Sequence, residues 1–154
     1  MPGRVAGRIL DLRRTRAPDA EQGDEDMSAR WQWRERDGVR FLAVDYRGTD
    51  DAQELALLLE ISDILRGEPV GTPVLVYNDA RLPTVEYARI AMEIGRTVFK
   101  PRQTRMAILG LPSAAVMGLR TFAAVTGGRR TAAFRDEEEA VGFLVQRAAR
   151  EPAA

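Results

Sequence analysis

Residues 74–89 read VLVYNDARLPTVEYAR. The apolar run Val74–Tyr77 is too short for a helix and rich in strand formers. It stops at Asn78-Asp79, a pair that favours turns. Pro83 cannot sit inside a helix but fits just ahead of one, and Thr84 is a typical helix N-cap. Val85, Ala88, Met92 and Phe99 then recur at near-helical intervals, which predicts a helix from about Thr84 to Phe99. The stretch is one strand–loop–helix unit, and the chain on either side alternates strands and helices without an internal sequence repeat.

Downstream, Lys100-Pro101 ends that helix and RMAIL at 105–109 reads as a short buried strand. Pro112-Ser113 opens a third helix, with Met117, Phe122 and Val125 expected to face inward and Gly127-Gly128 expected to close it in a left-handed cap. TAAF at 131–134 is a last strand. Asp136 and Glu139 then form a capping box before a helix whose apolar stripe is Val141, Leu144, Val145 and Ala148.

Upstream, ARWQWRER and VRFLAVDY flank Asp37-Gly38, the strongest short hairpin signal. Asp50 and Gln53 make a capping box for a helix through Arg66, with Leu55, Leu58, Leu59 and Leu65 on its inner face. Gly67 and Pro69 stop it. The order is hairpin, then helix and strand in alternation, ending on a helix. It predicts an α/β domain over 29–150: a mixed, mostly parallel sheet of about five strands, opened by a β-hairpin and packed by four helices. Residues 15–28, TRAPDAEQGDEDMS, are acidic and poor in apolar side chains, so residues 1–28 read as a disordered extension. Val5, Ile9 and Leu12 have helical spacing within it, and a translation start at Met27 is the competing explanation for its composition.

Composition removes whole classes of chemistry. The chain is 45% apolar and 30% charged, with no cysteine and no histidine. Disulfides, thiolate nucleophiles, histidine bases and the usual zinc ligands are therefore excluded. Lys100 is the only lysine, and no pair of acids has an evident acid/base spacing, so neither enzyme activity nor a cofactor or metal is expected. The longest apolar run, LALLLEI at 55–61, falls far short of the roughly 20 residues needed to span a bilayer. The N-terminus has no continuous apolar segment of the secretory kind, so a cytoplasmic location is expected.

Charge is unevenly placed. Acids outnumber bases eight to two between Asp45 and Asp79, and bases outnumber acids ten to two between Ala80 and Arg135. Lys100, Arg102, Arg105, Arg129 and Arg130 could gather a phosphate or an acidic peptide if their loops meet in space. Cations at helix C-termini also stabilise the dipole without any partner. Gly127-Gly128 ends a helix, whereas a phosphate loop begins one. Only Phe99 and Phe134 lie near the basic run, so no nucleic acid partner is expected.

The run from FLAVDYRGTDDAQEL to DEEEAVGFLV resembles the SpoIIAA-like, STAS-type family around the anti-sigma-factor antagonists. That family includes many small bacterial proteins and is related in fold to lipid-binding domains. The resemblance is carried by DYRGTDD before an acidic helix start, PVLVYND leading into a helix, RMAILG before a helix of small and apolar residues, and the acidic capped helix with Phe143-Leu144. It covers about residues 29–150 and implies a non-enzymatic regulatory or adaptor module. Such a module acts through an unidentified protein partner, with a homodimer as one form. The alternative it implies is a small-molecule or lipid-binding domain, with the helix around Met92 to Phe99 lining a cavity. In the antagonists, an Asp-Ser pair in the matching loop is phosphorylated to break partner binding. Here NDARLPTVEY has no such pair, and Thr84 is the only nearby hydroxyl.

The candidate binding residues are therefore Asn78, Asp79 and Arg81 at the carboxyl end of a strand, together with Arg129 and Arg130. Against this, Asn and Asp commonly bond nearby backbone and simply shape a turn. Thr84 is a candidate phospho-acceptor at a helix N-terminus, or an N-cap alone. Trp31 and Trp33, two apart on the first strand, share one face, which we expect to pack into the core.

Overall fold

A computed structural model of the chain describes residues 27–126 and 128–150. Side chains at 27–28, 125–126, 129 and 147–150 lie outside that description, as do Gly127 and nearly all of the predicted extension over 1–28. A single 3-10 turn, Met27–Arg30, leads into β1 (Trp31–Arg36). Asp37 and Gly38 both take positive φ, 53° and 78°, the requirement of a type I′ turn, and return the chain as β2 (Val39–Asp45). Helix α1 (Asp51–Arg66) starts from the expected capping box, with the Gln53 N–H donating to Asp50 Oδ1 at 2.8 Å and the Asp50 N–H to Gln53 Oε1 at 2.9 Å.

The units β3 (Val74–Tyr77) with α2 (Val85–Ile94), β4 (Met106–Leu109) with α3 (Ser113–Thr126), and β5 (Thr131–Phe134) with α4 (Glu137–Arg150) complete the chain. The sheet runs β1-β2-β3-β4-β5, with β1 antiparallel to β2 and every later pair parallel. The predicted five strands, opening hairpin and four helices are all present.

Strand order fixes the layering. When parallel strands are added one after another in the same direction, crossovers of a single hand put every connecting helix on the same face. Accordingly α1, α2 and α3 cover the face bearing the rows Leu42-Val74-Met106 and Val44-Val76-Ile108. Helix α4 follows the last strand, is no crossover, and folds over the opposite face against Leu75, Ala107 and Leu109 through Ala140, Val141 and Leu144. Both faces of β3 and β4 are thus buried, which is why these strands read as continuous apolar runs.

Trp31 and Trp33 are half-buried against the α1 side of the core. The Trp31 Nε1–H donates to Glu60 Oε2 at 3.1 Å, and the Arg40 guanidinium sits 3.5 Å over the Trp33 ring.

Three helical faces differ from expectation. In α1 the buried stripe is Glu54, Leu57, Leu58, Ile61, Ser62 and Leu65, while Leu59 is 46% exposed. Leu59 lies about 100° round the helix from Leu58, off the i, i+3, i+4, i+7 row. In α2, Val85 is 88% exposed and the buried side chains are Ala91 and Ile94. The predicted end of that helix is instead a π-helical turn, Gly95–Phe99, in which the Lys100 N–H reaches the Gly95 carbonyl at 2.8 Å. The extra residue per turn rotates Val98 and Phe99 into the core. In α3, Phe122 faces the core as expected, but Met117 is 68% exposed and Leu119 faces inward in its place.

Candidate functional site

The carboxyl ends of β2, β3 and β4 and the amino ends of α1, α2 and α3 meet at one edge of the sheet, because parallel strand–helix units all point the same way. Asn78 extends β3 by one bond, its N–H donating to the Leu109 carbonyl at 2.8 Å. Gly110 closes β4 at φ +82°, and a Cβ there would fall 2.0 Å from the Asn78 carbonyl oxygen. Only glycine lets the two strand ends come this close.

Asp79 braces two loops. Its carboxylate accepts from the Gly48 N–H at 3.0 Å and the Arg81 N–H at 3.2 Å, and these two backbone donors hold its pKa below the ordinary 3.8. Arg81 turns back to the start of α1, where its guanidinium reaches Asp51 at 3.1 Å and Glu54 at 3.2 Å. Glu54 is 9% exposed, and burial holds its carboxyl above the ordinary 4.5 in spite of Arg81. Thr84 caps α2, its Oγ1 accepting from the Tyr87 N–H at 3.1 Å.

Behind these residues lies a cavity of about 390 Å³. Its floor is the sheet, through Val44, Val74, Val76, Met106 and Ile108. Leu58 and Ile61 of α1 form one wall, and Met92, Phe99 and Phe122 close the base. Where α2 and α3 face each other the lining residues are Ala88, Ala91, Ala114, Ala115 and Gly118. Side chains this small cannot fill the space between two helices laid on one sheet, and the unfilled volume is the cavity. Phe99, brought inward by the π turn, meets Phe122 edge to face with ring centroids 6.4 Å apart.

Polar groups in the lining are few. The Tyr46 hydroxyl is hydrogen-bonded to the Tyr87 hydroxyl, and burial raises both pKa values above the ordinary 10.0. The remaining polar side chains, Glu54, Asn78 and Arg81, lie at the same strand-end edge.

Arg129 and Arg130 do not join this group. They precede β5, whereas Asn78, Asp79 and Arg81 follow β3, and in a parallel sheet those positions lie at opposite edges. The Arg129 side chain lies outside the described residues, and Arg130 is half-buried. Arg102 and Arg105 share that opposite edge. Arg102 donates to the Glu68 carbonyl, and the Arg105 guanidinium lies 4.6 Å over the Phe143 ring.

Sequence reasoning placed Asn78, Arg81, Met92 and Phe99, all of which line the cavity, but passed over Glu54, Tyr46 and Tyr87. One signal for Glu54 was available: an acid three residues before Leu57 on the buried stripe of an amphipathic helix. Among the described residues no group of three or more acidic side chains could hold a metal ion, and no helix is long and apolar enough to cross a membrane. No family model, curated protein or solved structure matches the chain.

Proposed function

We propose that this domain is a non-catalytic binding module that holds a small, largely apolar molecule between its sheet and its three crossover helices. The cavity of about 390 Å³ is the observation that carries this reading. Its size falls within the roughly 300–1,000 Å³ typical of small-molecule sites, and its make-up, apolar walls with a few convergent polar groups, is theirs as well. The fold supplies it as a consequence of small residues on α2 and α3. This favours the small-molecule or lipid-binding alternative among the functions that the resemblance implies.

Native mass spectrometry of the protein purified from its own host tests the proposal. A bound species lost on denaturation is expected, and ligand-free spectra from repeated preparations that also fail to take up added hydrophobic compounds would refute it.

A second reading, an adaptor acting by protein contact, draws on the outer side of α3, where Met117 is 68% and Val116 37% exposed on a helix with a single charged residue, Arg120. Replacing Val116 and Met117 by polar residues separates the two readings. Under the cavity reading, ligand occupancy is unchanged.

A further inference from the structure

The polar end of the cavity discriminates between classes of ligand. The deep walls are hydrocarbon, and the polar side chains gather at the strand-end edge: Glu54, Asn78 and Arg81, with the Tyr46 and Tyr87 hydroxyls bonded to each other beside Glu54.

Among the described residues Arg81 is the only cation lining the cavity, and each of its terminal nitrogens donates to a carboxylate, one to Asp51 and the other to Glu54. An anionic head group would have to share that guanidinium with both carboxylates, using the N–H groups they leave over. It would also lie beside Asp51, Glu54 and Asp79, whose charges converge on this point against one guanidinium. Glu54 has capacity to spare, because a carboxylate offers about four lone-pair sites and Arg81 occupies one of its oxygens.

One feature favours an anion: the amino end of α3, which lines the cavity through Ala114 and Ala115 and has no acid in its first turn. A helix terminus is equivalent to about half a positive charge, which does not outweigh an excess of two carboxylates.

Resting on the reading of the cavity as a ligand site, we propose that the ligand is an amphiphile whose polar end donates hydrogen bonds and carries no negative charge. An alcohol or an amine is received at Glu54, and a carboxylate or phosphate is turned away. Glu54 acts as the acceptor. Arg81, pinned between Asp51 and Glu54, orients that acceptor and does not serve as an anion receptor. Like-charge juxtaposition supplies the rejection, which is how a site gains specificity without further attractive contacts.

The test uses three ligands with one tail, n-decanol, decylammonium and decanoate, titrated calorimetrically into the intact chain. Decanol and decylammonium are expected to bind, with decanoate at least about tenfold weaker, the worth of one hydrogen bond to a charged group. Glu54→Gln should weaken decylammonium by about tenfold, leave decanol little changed, and strengthen decanoate. A purely structural role for Glu54 would weaken all three together. Arg81→Gln, which removes the cation and keeps the Glu54 carboxylate, should leave decanoate the weakest binder of the three, and serves if Glu54→Gln fails to fold. Wild-type decanoate binding equal to or tighter than the other two overturns this inference and leaves the cavity reading standing. Absence of binding by all three overturns the cavity reading itself.

Discussion

Gly118 offers the sharpest perturbation of the cavity. It lines the gap between α2 and α3, and a Cβ built on it meets nothing within 4 Å. Two substitutions therefore act on different quantities. Gly118→Ala removes the entropic cost of a glycine inside a helix and should stabilise the domain by about 1 kcal/mol, raising Tm by roughly 3–5 °C. Gly118→Trp places an indole where the ligand tail would lie. An indole side chain buries on the order of 200 Å², and if half of that enters the cavity the transfer gain is about 2.5 kcal/mol before the cost of fixing the rotamer.

Both variants are thus expected to be at least as stable as the parent by differential scanning calorimetry. Only Gly118→Trp should lose ligand occupancy in native mass spectra. A Gly118→Trp protein that keeps parental occupancy would refute the assignment of the ligand to this cavity. If it instead melts more than about 5 °C below Gly118→Ala, the space beside Gly118 is not available to a side chain.

The other predictions concern the frame around the site. Gly110→Ala should destabilise by about 2–4 kcal/mol in urea unfolding, since its methyl would meet the Asn78 carbonyl at 2.0 Å on a left-handed backbone; a change under about 1 kcal/mol would show that the strand ends can move apart. Asp79 has a folded pKa below 3.8, so its contribution is present above that value and is lost as pH falls through the folded pKa. Asp79→Asn should therefore flatten the acid side of the Tm–pH profile, and an unchanged slope would contradict the brace. Tyr46, Tyr77 and Tyr87 are the three tyrosines, and all have pKa values raised above 10.0 chiefly by burial. Tyrosinate absorbance at pH 10 should be well below half of the value in urea, and equal absorbance would place the hydroxyls in water.

Much of the frame was legible because it depends on local chemistry. The Asp37-Gly38 turn, the Asp50–Gln53 capping box and the Thr84 N-cap all appear where their residue types demand, because each satisfies backbone groups within a few residues. The site was less legible, because cavities arise from what two distant segments fail to fill. Ala88 and Ala91 look like ordinary helix formers until Ala115 and Gly118 are set opposite them. Met117 and Val85 were misread for a related reason. Helical spacing says which residues share a face but not which face is inward, and on α3 the sparse outer charge left two apolar rows to choose from. The π turn at Gly95–Phe99 had no sequence signal in a pattern of period 3.6, yet it delivers Phe99 to the cavity. Arg129 and Arg130 were grouped with Asn78 on charge alone, and the parallel strand direction separates them.

A ligand in the cavity touches one face of the sheet and not the other. Methyl-labelled protein titrated with n-decanol, followed by two-dimensional carbon–proton NMR, reads this directly, because the two sheet faces carry different methyl groups. Shifts are expected at Leu58, Ile61, Val76, Met92 and Ile108, which line the cavity. Leu75, Val141 and Leu144, buried on the α4 face, should stay in place. Shifts concentrated on the α4 face, or spread evenly over both faces, would contradict the cavity as the binding site.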